Sequence, residues 1–242
     1  MEDKYAKLKS LIKSSNSIVV FTGAGISVPS GIPDFRSATG VFSERTKTGY
    51  RPEEVVSHSF FMAYPDEFYR FYKDKMCYPE AKPNAAHKYF AELEKQGKNV
   101  TVVTQNIDGL HQAAGSSRVY ELHGSIHRNY CMDCNAFYTL DQIMKKDGVP
   151  YCDKCGGMIK PDVVLYEEGL DSITVEYSIA SIMTADLMII IGTSLRVYPA
   201  ASYVRYFRGK AIVLINKGNT GINDQCELVF DEDVINVINK IS

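Results

Sequence analysis

The sequence predicts an α/β fold, a doubly wound parallel β-sheet that carries a smaller inserted domain. The first observation is that apolar segments rich in Val and Ile recur without polar alternation, at residues 17–25, 99–106, 186–194 and 210–216. Such runs indicate strands buried on both faces, which is typical of parallel sheets. The second observation is that helical patterns, notably at residues 84–96 and 172–184, separate the strands. A repeated strand–helix unit predicts a Rossmann-like architecture.

The N-terminal residues 1–15 place Leu8, Leu11 and Ile12 at helical spacing among charged residues, which predicts an amphipathic first helix. This segment lacks the apolar central region of a secretory signal. The longest apolar run, residues 187–191, is far shorter than the roughly 20 residues that a membrane span needs. We therefore expect a cytoplasmic protein without a membrane partner and without disulfides.

The bulk composition narrows the class of function. The chain has 242 residues, of which 45% are apolar, and this suffices for one or two domains with buried cores. The formal net charge is −2, and the Lys and Arg residues are spread along the chain. Because nucleic-acid-binding domains carry a clustered basic surface, we expect no nucleic-acid partner. We expect the protein to be a monomer.

Two stretches interrupt the strand–helix repeat. Residues 37–80 are rich in aromatic side chains at roughly helical spacing, and residues 124–160 lack a helical period and hold four of the six cysteines. We interpret both as insertions that form a small domain, and we assign residues 1–36, 81–123 and 161–242 to the Rossmann-like domain. The aromatic residues form either the core of a small helical layer or a wall of a substrate cleft.

Four cysteines in the second insertion have the spacing of a zinc site. Cys131 and Cys134 form one C-x2-C pair, and Cys152 and Cys155 form another after 17 intervening residues. Two such pairs complete a tetrahedron of sulfurs around one ion. Because four thiolates leave no open coordination position, the ion is expected to be structural. A redox pair is the alternative.

The segment FTGAGISVPSGIPDFRS, residues 21–37, has the first part of a dinucleotide-binding fingerprint. Gly23 and Gly25 follow an apolar strand as the first two glycines of that fingerprint do, but Val28 stands at the position of the third. A carboxylate, an aromatic ring and a guanidinium then follow in a row, at Asp34, Phe35 and Arg36. The loop therefore predicts a dinucleotide-binding site whose loop has a function beyond holding the dinucleotide.

Polar residues cluster after the strand at residues 99–106. Gln105, Asn106 and Asp108 lie within four residues of one another, and one of them could cap the helix that follows. Since ligands bind beyond the carboxyl ends of parallel strands, we expect a ligand role for this group. Amide and carboxylate groups suit an amide-bearing ring and sugar hydroxyls.

His123 is the candidate general base. It lies in the segment ELHG just before the cysteine-rich insertion, at the seam between the predicted domains, where ligand clefts are common. An imidazole, with an ordinary pKa of about 6.5, is the usual base near neutral pH. A hydrogen-bonded structural histidine is the alternative.

Together these motifs resemble those of the sirtuin family, the NAD-dependent protein lysine deacylases, and most closely its compact bacterial members. The likeness covers nearly the whole chain, in the segments FTGAGIS, GIPDFRS, TQNIDGLH, ELHG, the four cysteines, KPDVVLYEE, GTSLRVYP and LIN. It implies NAD as the cofactor and zinc as the structural ion. It also implies that backbone amides of the GAGIS loop and a helix N-terminus hold the pyrophosphate.

The resemblance implies specific cofactor contacts. Gln105 and Asn106 would line the ribose and nicotinamide region, and Asp108 would hold the nicotinamide amide. The full set of matching positions is Ala24, Gly25, Val28, Phe35, Arg36, Gln105, Asn106, Ile107, Asp108, His123, Thr193, Ser194, Asn216, Asp233 and Val234.

The implied reaction is the transfer of an acetyl group from a lysine in a protein or peptide to ADP-ribose. The acyl oxygen attacks the sugar carbon that bears nicotinamide, nicotinamide leaves, and His123 acts as general base on a ribose hydroxyl. The products are free lysine, nicotinamide and O-acetyl-ADP-ribose. The acetyl-lysine is expected in an apolar tunnel lined by Val163, Val164, Tyr166 and Val197.

The sequence departs from the family pattern at Glu167, which occupies a position that usually carries glycine. We expect this to affect peptide geometry or sequence preference more than the chemistry. Alignment of residues 67–76 with desuccinylating sirtuins places Tyr69 and Tyr72 beside the tunnel, where those enzymes carry Tyr and Arg. Arg70 should point away from the tunnel. This arrangement predicts uncharged acyl groups as substrates.

Two alternative functions remain open. A protein ADP-ribosyltransferase would use the same cofactor but accumulate modified protein instead of O-acyl-ADP-ribose. A non-catalytic module that binds nucleic acid through a zinc ribbon would need a basic stripe beside the cysteines. Residues 124–160 instead carry nearly balanced charge, which favours an enzyme.

Overall fold

The computed structural model describes residues 3–35, 40–41 and 49–242. Its strands in chain order are β1 (Ser17–Thr22), β2 (Asn99–Thr104), β3 (Val119–Glu121), β4 (Gly124–Cys131), β5 (Phe137–Thr139), β6 (Ile159–Val163), β7 (Leu187–Ile191), β8 (Ala211–Ile215) and β9 (Leu228–Phe230). Six of these strands form one parallel sheet in the order β3-β2-β1-β7-β8-β9. The order reverses between β1 and β7, as in a Rossmann-like sheet, and the predicted α/β fold is confirmed.

Helices cover both faces of this sheet. In chain order they are α1 (Lys4–Ser14), α2 (Pro52–Val55), α3 (His58–Ala63), α4 (Pro65–Lys75), α5 (Ala85–Lys95), α6 (Leu110–Ala114), α7 (Leu140–Met144), α8 (Ser172–Thr184) and α9 (Val234–Ile241). Short 3₁₀ turns occupy Ala24–Ile26, Val28–Ser30, Ala200–Tyr206 and Asn223–Gln225. None of the helices in the described part of the chain has the length and hydropathy needed to cross a membrane.

Successive residues of the central strand β1 pack into opposite layers. Val20 belongs to the core that includes Leu8 of α1 and Ile238 of α9, whereas Phe21 belongs to the core that includes Ile182 of α8. Both strand residues are fully buried. Because each face of the strand needs an apolar side chain, β1 reads as a continuous apolar run.

A third core joins the two predicted insertions. Strands β5, β4 and β6 form a three-stranded antiparallel sheet in that order. Its side chains pack with the aromatic residues of α3 and α4 in one buried cluster, where the rings of Phe61 and Phe68 meet edge to face at 4.9 Å. The aromatic residues thus form a core, the first of the two interpretations. The domain boundaries themselves stay a prediction.

Residues 163–168 connect the large sheet with the core of the two insertions. The amide of Val164 donates to the carbonyl oxygen of His123 at 3.0 Å. The Tyr166 amide donates to the Val56 carbonyl, and the Tyr166 carbonyl accepts from the His58 amide, both at 3.0 Å. This segment therefore runs between the large sheet and the helices α2 and α3, where it forms the floor of a cleft.

Candidate active site

A cavity of about 820 Å³ opens at the carboxyl ends of β1, β2, β7 and β8. We call it the reaction cavity. Its position at the point where the strand order reverses is the usual ligand site of such sheets. The predicted residues that line it are Ala24, Gly25, Val28, Phe35, Gln105, Asn106, Ile107, His123, Val163, Val164, Tyr166, Thr193, Ser194, Val197, Asn216, Asp233 and Val234.

Two predicted cofactor residues are not among the described residues that line the reaction cavity. Arg36 lies outside the described residues. Asp108 is described but does not line the reaction cavity. One Asp108 oxygen accepts from the Leu110 amide at 2.9 Å and so caps α6, while the other accepts from the Ser27 hydroxyl at 2.7 Å. Asp108 thus accepts from the first amide of α6, although the N-cap position itself is Gly109, and its contact with nicotinamide stays a prediction.

The glycine-rich loop is shaped by the end of β7. The Gly25 amide donates to the Gly192 carbonyl at 2.8 Å, and a Cβ atom on Gly25 would lie 2.6 Å from the Gly192 Cα. Only glycine permits this approach. The loop continues into two 3₁₀ turns, with Val28 at the start of the second. The helix that begins in this loop is therefore a short 3₁₀ turn with Gly23 at its N-cap, and its role in holding a pyrophosphate stays a prediction. Val28 is 43% exposed, so its side chain is accommodated where a third glycine would stand.

Hydrogen bonds fix the polar residues that follow β2. The Gln105 side-chain amide donates to the Thr193 hydroxyl at 2.9 Å and so joins the ends of β2 and β7. The Asn106 side chain donates to the Ser27 hydroxyl at 3.1 Å, and the Asn106 backbone amide donates to the Thr104 hydroxyl at 3.0 Å. These bonds hold both amide side chains against the floor of the reaction cavity.

His123 follows β3 and is oriented by a backbone carbonyl. Its Nδ1 lies 2.9 Å from the carbonyl oxygen of Gln105. A carbonyl can only accept, so Nδ1 carries the proton and Nε2 keeps a lone pair. Gly124 follows with φ of 74°, and a side chain there would overlap the Asp162 carbonyl, which is why glycine succeeds the histidine.

The environment of His123 favours the neutral ring. Burial lowers the pKa of His123 below its ordinary value, and the hydrogen bond to the Gln105 carbonyl opposes this only in part. A ring that is neutral near pH 7 with an available Nε2 is ready to accept a proton.

The Glu168 carboxylate bonds the segment that forms the floor of the cleft to α3 and to β6. Its carboxylate accepts from the Leu165 amide at 2.9 Å, contacts His58 Nδ1 at 2.8 Å and accepts from Lys160 Nζ at 3.1 Å. Burial alone would raise the pKa of Glu168, but these partners outweigh it and lower that pKa. These contacts therefore fix the segment that carries Val164 and Tyr166.

The four cysteines converge as the spacing predicts. Their sulfurs all lie within 4.8 Å of one another, with 3.4 Å between Cys131 and Cys155 and 3.6 Å between Cys134 and Cys152. A tetrahedral ion with Zn–S bonds of about 2.3 Å places its sulfurs about 3.8 Å apart. The donor set thus fits zinc, and Tyr138 donates its hydroxyl to the Cys152 sulfur at 3.2 Å as an outer partner.

The alignment of α4 with the tunnel is wrong for two residues. Tyr69 is 1% exposed and Tyr72 is 0% exposed. Both are buried in the core that joins the two insertions, and neither lines the reaction cavity. The Tyr69 hydroxyl donates to the Ile159 carbonyl. Met76, one turn further along, lines the cavity instead. Arg70 points outward, as predicted, and it pairs with Glu67 at 2.5 Å.

Sequence reasoning missed some residues that line the reaction cavity. They include Met76, Leu170, Arg196, Tyr198, Lys217 and Asn219. Arg196 and Tyr198 fall inside the motif GTSLRVYP, and Lys217 follows LIN directly, so their position after the strands was a usable signal. Met76 follows the last residue of α4, and nothing in its local sequence indicated the cavity.

Comparison with known proteins agrees with the motifs. The model of the family described as Sir2 family matches residues 23–199. The NAD-dependent protein deacetylase of Clostridium perfringens (strain 13 / Type A) is 55% identical over 242 residues, covering 100% of this chain and 99% of that protein. A solved Sir2 structure with a deacetylated p53 peptide and 3'-O-acetyl ADP ribose has a TM-score of 0.89 at 38% identity, covering 99% of this chain and 97% of that chain.

Another solved structure, of Sir2 with a p53 peptide and NAD+, has a TM-score of 0.85 at 38% identity, covering 97% of this chain and 95% of that chain. The family match spans more than half of the chain, and the relatives are matched nearly end to end. The resemblance of the motifs to sirtuins is confirmed, and the chain belongs to the Sir2 family.

Proposed function

We propose that this protein is an NAD-dependent protein lysine deacetylase. It transfers the acetyl group of an acetylated lysine to the ADP-ribose part of NAD, consumes one water, and releases free lysine, nicotinamide and O-acetyl-ADP-ribose. The observation that carries this proposal is His123, whose Nδ1–H is held by the Gln105 carbonyl at the edge of the reaction cavity. The name of the Clostridium perfringens relative supports the same activity.

The loops after β1, β7 and β8 provide the NAD site in this proposal. The volume of about 820 Å³ is within the usual range for cofactor sites. Thr193 and Ser194 offer hydroxyl donors for phosphate and ribose oxygens, and Asn216, Asp233 and Val234 surround the adenosine end. When bound, NAD supplies a sugar carbon with a departing nicotinamide.

His123 is the general base. Nε2 accepts a proton from a ribose hydroxyl while Nδ1–H keeps the ring in position through Gln105. Because burial holds the pKa of His123 below its ordinary value, the ring is already neutral near pH 7. Asn106 orients the ribose, and the Phe35 ring excludes water from the reacting carbon.

The acetyl-lysine enters between the large sheet and residues 163–168. Val163, Val164, Tyr166 and Val197 form the apolar walls of its tunnel, and the peptide backbone pairs with the cleft as an added strand. Zinc, bound by the four cysteines, stabilises the small sheet whose strands β4 and β6 carry one wall of this cleft.

We also propose that the protein acts in the cytoplasm as a monomer, without nucleic-acid or membrane partners. The net charge of −2 supports the view that anionic polymers and lipids are not attracted to it. Size-exclusion chromatography with light scattering tests the monomer. A stable dimer mass over micromolar concentrations would contradict it.

The function is tested by incubating the pure protein with NAD and an acetylated peptide, and quantifying products by mass spectrometry. We expect equal amounts of deacetylated peptide, nicotinamide and O-acetyl-ADP-ribose. ADP-ribosylated protein without deacetylated peptide would favour the ADP-ribosyltransferase alternative. No turnover, with zinc bound and the fold intact, would favour the non-catalytic alternative.

A further inference from the structure

Glu167 adopts an unusual backbone conformation beside the peptide cleft. Its φ is 77°, in the left-handed region that residues with a side chain rarely adopt. Its carboxylate accepts from the Ser59 amide at 2.8 Å and from the Ser59 hydroxyl at 2.9 Å. Both donors are neutral, so they fix the position of the carboxylate without cancelling its charge.

A second cavity of about 640 Å³, which we call the side cavity, adjoins the reaction cavity. Tyr166 and Glu167 line both. Glu167 therefore stands on the ridge between the proposed acetyl-lysine tunnel and the side cavity. Residues in an extended peptide are spaced by roughly 3.3 Å, so a side chain one or two residues from the acetyl-lysine can reach this ridge.

The walls of the side cavity suit a long cationic side chain. Phe60 and Tyr64 contribute aromatic rings with centroids 5.1 Å apart, and such rings bind the stem and the charge of Lys or Arg. Glu53 and Glu54 add negative charge at the same wall. Arg51 offsets part of the Glu54 charge, with its Nε 3.6 Å from the carboxylate.

We propose that Glu167 is a specificity-determining residue that selects acetylated peptides with a Lys or Arg close to the acetyl-lysine, whose side chain enters the side cavity. This inference rests on the proposed deacetylase function and deepens it. An Asp or Glu at the same peptide position meets the fixed carboxylate of Glu167 and is disfavoured by like-charge repulsion.

The test compares kcat/KM for one acetylated peptide carrying Lys, Ala or Glu at each position within three residues of the acetyl-lysine. At one or two adjacent positions we expect Lys to exceed Glu by about tenfold, since an exposed attraction is replaced by a repulsion. The difference should lie in KM, because the contact is the same in ground and transition states. It should shrink at high ionic strength.

Glu167→Gln keeps an oxygen that can accept from Ser59 but removes the charge, so the Lys-to-Glu ratio should fall to about threefold or less. Glu167→Lys should invert the ratio. Glu176→Gln is the matched control, because Glu176 is exposed on α8 and lines neither cavity. Its ratio should equal that of the wild type.

The peptide with Ala distinguishes a failure of the proposed deacetylase function from a failure of the proposed role of Glu167. If the wild type deacetylates no peptide, the proposed function itself fails. If it deacetylates the Ala peptide but shows no charge preference at any position, the role of Glu167 is overturned alone. A preference that Glu167→Gln leaves unchanged overturns it as well.

Discussion

The Nδ1 of His123 donates its proton to the carbonyl oxygen of Gln105 across 2.9 Å. This bond joins the second residue after β3 to the first residue after β2, and it leaves Nε2 as the basic atom of the ring. The tautomer of the proposed general base is therefore set by the backbone of the neighbouring strand end.

The first prediction concerns the pH dependence of deacetylation. Protonation of His123 removes the base, so kcat/KM should fall as pH drops through the pKa of this ring. Burial lowers that pKa, so the acidic limb should have its midpoint below the ordinary value of about 6.5. Rates measured between pH 5 and 8 check this. A midpoint above about 7 would mean that another group controls the limb.

The second prediction concerns zinc. Cys134→Ser should release the ion and lower the melting temperature by roughly 5 °C or more, because metal binding contributes directly to folding. Metal analysis and thermal unfolding measure both effects. Cys226→Ser is the control, since Cys226 lies outside the sulfur cluster, and it should keep one zinc per chain. Zinc-free wild-type protein with unchanged stability would refute the structural role.

The third prediction concerns two buried histidines below the reaction cavity. Their rings meet edge to face at 4.8 Å. Burial lowers the pKa of His87 to about 4, with the Asp108 charge opposing it, and lowers the pKa of His111 well below its ordinary value. The unfolded chain therefore binds more protons than the folded chain below pH of about 6.5.

The free energy of unfolding should consequently fall as pH drops from about 6.5 to about 5, by about 2 kcal/mol from His87 alone. Urea unfolding at several pH values above 5, where carboxylates stay mostly ionised, measures the slope. The double substitution of His87 and His111 by Gln should reduce the slope to the part that His123 contributes, whereas His127→Gln, at an exposed position, should leave the slope unchanged. A stability that is constant over this range would contradict the buried neutral pair.

The fourth prediction concerns the acyl group. Met76 lines the reaction cavity, and Val56 and Ile107 are apolar lining residues from neighbouring elements. A succinyl carboxylate would lose its hydration there, so kcat/KM for acetyl-lysine should exceed that for succinyl-lysine by at least about tenfold. Met76→Arg should lower the ratio of kcat/KM for acetyl-lysine to kcat/KM for succinyl-lysine. Met62→Arg, at an exposed position of α3, should leave this ratio unchanged. Equal rates in the wild type would show that a cation reaches the acyl group.

The sequence predicted the four inner strands of the large sheet and missed its two edge strands. β1, β2, β7 and β8 are buried on both faces, so their sequences are continuous apolar runs. β3 and β9 are three-residue strands at the two edges of the sheet. An edge strand has one neighbour and less buried surface, which leaves too short a pattern to recognise.

The parts of the site whose geometry depends on local sequence alone could be predicted. The cysteine spacing, Gly25 and the residues after the strands follow from local geometry. The face of α4 that points towards the reaction cavity could not be predicted. Its aromatic residues Phe68, Tyr69, Phe71 and Tyr72 are all buried, and an aromatic run on several faces of a helix does not show which face points to a site. Tertiary packing alone decides that Met76, and not Tyr72, reaches the reaction cavity.

The most direct test of the central claim is the rate of O-acetyl-ADP-ribose formation by the His123→Ala variant, measured by mass spectrometry with saturating NAD and acetylated peptide. Loss of a positioned proton acceptor should lower this rate by roughly 10²–10⁴-fold. NAD binding, followed by calorimetry, should remain within a few-fold of the wild type. A variant that binds NAD and still forms the product at near wild-type rate would contradict the assignment of His123 as general base.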